Sequence, residues 1–96
     1  MPLLTLEKLK KRGLDGLYLF KCGSLGRDSA LLDGRCSLSM APGETRMFIR
    51  NAGRANNELK SAPGDFILSS DGEFVGIVIA NDTVDNVRGS RVFLFE

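Results

Sequence analysis

The stretch Pro63-Gly64-Asp65-Phe66-Ile67-Leu68-Ser69-Ser70-Asp71-Gly72-Glu73-Phe74-Val75-Gly76-Ile77-Val78 decides how this chain is read. Pro63, Gly64 and Asp65 are turn formers leading into the apolar run Phe66-Ile67-Leu68. Ser70-Asp71-Gly72-Glu73 has the composition of a hairpin connection. The run that follows, Phe74 to Ala80, is apolar at every position except Gly76, so both faces want cover and the strand belongs in the middle of a sheet. Gly76 inside it marks a bend or a close backbone approach.

Strand patterns extend outward in both directions. Leu17-Tyr18-Leu19-Phe20-Lys21-Cys22 is aliphatic and aromatic and is bounded by Gly16 and Gly23. Ala30-Leu31-Leu32 and Arg35 to Met40 flank Asp33-Gly34, a dipeptide that suits either a tight hairpin turn or a bulge in one long bent strand. Cys36, Leu38 and Met40 alternate with Arg35, Ser37 and Ser39, which predicts one dry face and one wet face. Ala41-Pro42-Gly43-Glu44 is a turn, Thr45 to Arg50 a strand, Asn51 to Ala62 a polar loop, Asn81 to Gly89 a second polar loop, and Arg91 to Phe95 a last strand. Before all of these, Thr5 to Gly13 reads as a short helix. Thr5 stands at its cap, Glu7 in the positive first turn, and Lys10-Lys11-Arg12 at the negative end. The expected architecture is all-β: a single six-stranded antiparallel β-barrel with a short N-terminal helix, one domain over residues 1–96. Barrel closure is expected because it removes edges that would pair with other chains.

Composition narrows the chemistry. Thirteen basic against twelve acidic residues leave a net charge of +1, so no overall field draws the chain to nucleic acid or to an anionic membrane. No apolar run approaches the ~20 residues of a bilayer-spanning helix. The N-terminal sequence lacks a basic segment followed by an apolar stretch and a cleavage pattern, which gives a cytoplasmic expectation. The chain contains no histidine and only two cysteines, Cys22 and Cys36. Zinc normally takes four ligands, so this pair makes no metal site, and no cofactor is expected. The cysteines read as reduced, half-buried side chains in neighbouring strands.

The quoted stretch resembles the nucleophile loop and following hairpin of chymotrypsin-like serine peptidases, in which Gly-Asp-Ser-Gly-Gly-Pro precedes an apolar strand, a turn and a Val-Gly-Ile strand. The resemblance implies the C-terminal barrel of that fold, half of a two-barrel enzyme, with the rest of the cleft missing or supplied by another polypeptide. Gly64 and Asp65 match the motif. Phe66 stands at the nucleophile position and the glycine pair after it is absent. Acyl transfer of that kind needs a hydroxyl, an imidazole to take its proton and a carboxylate to orient the imidazole. Phe66 has no attacking atom and the chain has no imidazole. The resemblance therefore implies a degenerate nucleophile loop, Gly64, Asp65 and Phe66, with no catalytic residues.

Three functions follow as expectations. The first is a non-catalytic protein-interaction or self-assembly module, taking a protein or peptide partner, including a second copy of itself, by strand addition along Leu17 to Phe20 or Leu94-Phe95. The alternative is a small nucleic-acid-binding barrel. Arg46 and Arg50 share a strand face with Phe48 between them, and Arg54 and Lys60 follow in the next loop. These five are the candidate partner-binding residues. The third is a thiol enzyme using Cys22 or Cys36 with Asp28, Asp33 or Asp65. It is disfavoured because the cations adjoining each cysteine in sequence point to the opposite strand face.

Overall fold

A computed structural model describes residues 2–24, 27–51 and 59–96. The elements in chain order are α1 (Leu6–Arg12), β1 (Leu17–Phe20), a 3-10 turn (Cys22–Ser24), β2 (Ser29–Leu31), β3 (Cys36–Ala41), β4 (Glu44–Arg50), β5 (Phe66–Ser69), β6 (Phe74–Val84) and β7 (Val87–Leu94). The strands form one antiparallel sheet in the order β2-β1-β5-β6-β7-β4-β3. All-β with one short helix is therefore the fold class, and β6 lies at its centre as its two-sided apolar run requires.

The expected closed six-stranded barrel is corrected in two ways: among the described residues the sheet has seven strands, and its edges β2 and β3 are not hydrogen-bonded to each other. The extra strand comes from Asp33-Gly34. Leu32 still donates to Leu17 O at 2.8 Å, but Arg35 N–H turns back onto Leu32 O at 2.9 Å, and Gly34 has φ +77°. A glycine adopts that left-handed conformation without strain. Neither of the two readings left open by sequence holds as stated: Asp33-Gly34 makes a turn between two strands, but these do not pair as a hairpin and go to opposite edges of the sheet. Seven strands laid flat would put the edges roughly 29 Å apart. The step from Leu31 to Cys36 can span no more than about 18 Å. The sheet must therefore curl, bringing its edges toward each other without pairing them.

The concave side holds the core. Leu17 and Leu19 of β1, Met47 and Ile49 of β4, Ile67 of β5, Val75 and Val78 of β6, and Val92 and Leu94 of β7 are buried there with Leu4, Leu9 and Leu32. Helix α1 adds Leu9 to this core and is anchored by Leu6 N–H donating to Phe95 O at 2.7 Å. Thr5 occupies the cap position, but its side chain makes no capping bond. Gly13 follows the helix at φ +90°, and Lys10, Lys11 and Arg12 sit in the last turn, where the helix dipole favours them.

A second correction concerns Asn81 to Gly89, expected as a loop. β6 runs through to Val84 and β7 begins at Val87, making a long hairpin whose turn residues Asp85 and Asn86 both have positive φ, 50° and 65°. Aspartate and asparagine tolerate this mirror-image turn, whose twist matches the strands. The arm is polar because it projects beyond the core, and strand pairing there needs no apolar face.

Candidate functional site

The loop that resembles a nucleophile loop is built around Asp65. Gly64, at φ +97°, donates to Val78 O at 2.8 Å, and Val78 N–H returns to Asp65 O at 2.8 Å, locking the loop to β6. Asp65 is buried. One carboxylate oxygen accepts Cys22 N–H at 2.9 Å; the other accepts Ala62 N–H at 2.9 Å and the Lys21 ammonium. Lys21 Nζ also donates to Lys60 O at 2.7 Å. The carboxylate thus fastens the end of β1 to the segment before β5, with three donors satisfying it. Nearby hydroxyls are engaged too. Ser61 Oγ donates to Asn51 Oδ1 at 2.9 Å, and Ser69 Oγ accepts Glu73 N–H at 3.1 Å across the β5–β6 turn.

Phe66 points the other way, onto the convex face. Because the strand period is two, Ile67 turns inward while Phe66 and Leu68 turn outward. The Phe66 ring stacks on Phe20 with centroids 5.4 Å apart and on Phe74 at 6.3 Å. Cross-strand register then assembles two apolar rows on the same convex face. Phe20 pairs with Phe66, Phe66 with Ile77, and Ile77 with Phe93. Beside that row, Leu31 pairs with Tyr18, Tyr18 with Leu68, and Leu68 with Phe74. Phe95 completes the cluster, 5.4 Å from Phe74 and 5.7 Å from Phe93. Phe93 remains 51% exposed, Ile79 48% and Leu31 48%, so the rings cover one another only in part.

Sequence assigned most of these residues to strands and singled out Phe66 as a degenerate nucleophile position and Leu17 to Phe20 and Leu94-Phe95 as edges, but did not group them on one face. The signal was the two-sided apolarity of β6, which implies a second buried layer on its outer side. Leu17 to Phe20, expected to offer an edge for strand addition, does not, because β1 is paired by β2 and β5; Leu94 pairs with Gly76 of β6 beyond the end of the β4 register, and Phe95 O accepts Leu6 N–H at 2.7 Å.

The arginine group divides. Met47 and Ile49 are buried, so Arg46, Phe48 and Arg50 do share the convex face of β4, as their spacing predicts. Arg46 is paired with Glu44 at 3.1 Å. Phe48 lies over Gly89, where a Cβ would meet its Cζ at 2.5 Å, so the ring is a packing element against β7. Arg54 lies outside the described residues. Lys60 is not with the others on β4. With Asn51, Asp82 and Arg88 it lines a cavity of about 660 Å³ beside the β6–β7 arm.

A polar cluster in which Arg35, Ser61 and Ser90 are buried and Asn51 half-buried was not foreseen. Arg35 Nε donates to Arg50 O at 3.0 Å and its Nη2 to Leu59 O at 2.7 Å, while Ser61 Oγ, whose one hydrogen goes to Asn51 Oδ1, accepts from Ser90 Oγ at 2.6 Å. These bonds hold residues 59–61 against β4 and β7, and they correct the expectation that Arg35 lies on a wet strand face: the segment at 59–61 covers its guanidinium.

Both cysteines are free: Cys22 is exposed in the 3-10 turn rather than half-buried in a strand, and Cys36 is half-buried in β3. Burial pushes the Cys36 thiol up from 9.0 to about 12, against a smaller opposing pull from Arg35. It is thus a protonated, unreactive side chain at neutral pH. Among the described residues no group of His, Cys, Asp or Glu has the clustering that holds a metal ion. No helix among them is long and apolar enough to cross a membrane. Comparison with known protein families, with curated proteins and with solved structures finds no match.

Proposed function

We propose that this chain is a non-catalytic protein-interaction module that docks a protein partner on the convex face of β1, β5, β6 and β7. The observation that carries the reading is the cross-strand row Phe20–Phe66–Ile77–Phe93, apolar on the side of the sheet that faces away from the core. Burying such a face releases about 25 cal/mol for each Å² of apolar surface removed from water, which gives the face a strong drive toward a partner. The non-catalytic part of the reading is supported by the fate of the degenerate loop. Asp65 is saturated by donors, and Phe66 contributes its ring to the docking face. Kinship with chymotrypsin-like peptidases remains a proposal resting on the quoted residues, and docking does not depend on it.

The nucleic-acid reading keeps one favourable observation, the shared convex face of Arg46, Phe48 and Arg50. The Glu44 partner of Arg46 and the packing role of Phe48 favour the protein reading instead. A test compares wild type with an Ile79→Ser/Phe93→Ser variant, both side chains being half exposed so that the fold survives. Immobilised wild type should retain a partner that the variant loses. Retention of the same proteins by both would refute docking on this face. Binding of single-stranded oligonucleotide that weakens steeply with salt would favour the alternative.

A further inference from the structure

We infer that β3 is a self-pairing edge: two copies of this chain join antiparallel along Cys36-Ser37-Leu38-Ser39-Met40, with a two-fold axis at Leu38, to make one continuous sheet. β3 is the longer of the two sheet edges, six residues against three for β2. Edge strands in natural proteins are usually guarded by charge, proline, a bulge or brevity. Residues 36–41 carry no charge and no proline, and their pairing with β4 runs without a register shift.

Hydrogen-bond parity leaves a defined set of groups open. Arg50 N–H donates to Arg35 O at 2.8 Å, and Arg35, Ser37, Ser39 and Ala41 are the positions that face β4 in the ladder. The N–H and C=O groups of Cys36, Leu38 and Met40 therefore point away from β4, along the free edge. This is the spacing at which a new antiparallel strand bonds.

The sequence of the edge argues for a second copy rather than an unrelated strand. Read in either direction it is apolar–Ser–Leu–Ser–apolar, so a two-fold axis at Leu38 sets Leu38 opposite its own equivalent, Cys36 opposite Met40 and Ser37 opposite Ser39. The open backbone groups are symmetric about the same residue. An isologous interface requires this self-complementarity, and an uncharged edge brings no like charges together across the axis. Met40, 77% exposed in the single chain, gains an apolar neighbour, and Leu38, which already packs against the core, extends that core across the junction.

The inference concerns a different surface from the convex docking face, and the test separates the two. Light scattering on a dilution series should show wild type passing from one chain to two. Hydrogen exchange at the Leu38 and Met40 amides should slow in the two-chain form. Met40→Lys alters an exposed side chain, and Met40→Pro removes an N–H that β4 does not use, so both should fold. Because each change enters twice by symmetry, Met40→Lys should raise the dissociation constant about tenfold. Ile79→Ser/Phe93→Ser should leave it unchanged. A wild type that stays a single chain at NMR concentrations would overturn the inference. So would a dimer that tolerates Met40→Lys and keeps fast exchange at residues 38 and 40; sensitivity of that dimer to the Ile79/Phe93 pair would place self-association on the convex face.

Discussion

Replacing Asp65 by alanine tests whether the degenerate loop is now a structural fastening. The wild-type carboxylate is buried, accepts two backbone N–H groups at 2.9 Å and holds the Lys21 ammonium, whose side chain is only 24% exposed. Alanine leaves that mostly shielded cation without its carboxylate partner and strands Cys22 N–H and Ala62 N–H. Breaking a buried pair from one side costs about 3–5 kcal/mol, and the stranded donors belong to the same loss. A chain of 96 residues has a total stability of roughly 5–14 kcal/mol. Asp65→Ala should therefore remove about a fifth of it or more. Urea unfolding followed by far-UV circular dichroism is the suitable assay, because the chain has no tryptophan and one tyrosine. Lys21→Met, measured alone and with Asp65→Ala, completes a double-mutant cycle whose coupling should exceed about 1 kcal/mol. A single-mutant loss below about 1 kcal/mol, or a coupling near zero, would show that the carboxylate is not fastening β1 to the loop.

Three further outcomes follow. Gly89→Ala sets a Cβ against the Ile49 carbonyl and 2.5 Å from Phe48 Cζ, where β4 and β7 are paired. Rigid backbone on one side and a packed ring on the other should cost about 3 kcal/mol or more, and a wild-type urea midpoint would refute the packing described. In the native state one thiol, Cys22, should react quickly with a disulfide reagent at pH 8 while Cys36 stays slow, and two equally fast thiols would contradict its burial. The pH linkage has a defined sign. The folded pKa of Cys36 lies above its unfolded value, so its contribution is whole below pH 9.0 and is lost as pH rises from 9.0 toward about 12. The slope is at most about 1.4 kcal/mol per pH unit. Cys36→Ala should remove that part of the alkaline decline, which stability measured between pH 8 and 11 would reveal.

Local pattern alone located most of the strands and the inward face of β4, although it placed Met40 on a dry face where it is exposed and read the β6–β7 arm as a loop. Met47 and Ile49 point inward beside Arg46, Phe48 and Arg50 because successive side chains of a strand must alternate. The centrality of β6 was likewise legible from its apolarity. Residues adjacent in sequence carry that information. Three features depend on which strands become neighbours, and they were decided only by the tertiary structure. Asp33-Gly34 sends the two strands that flank it to opposite edges of the sheet. Phe20, Phe66, Ile77 and Phe93, far apart along the chain, come into one row through the register of four strands. The guanidinium of Arg35 is buried because the segment at 59–61 folds over it. Periodicity states which way a side chain faces, but only long-range pairing states what stands beside it, and so the chain reads as a sheet while its surfaces had to be found in the fold.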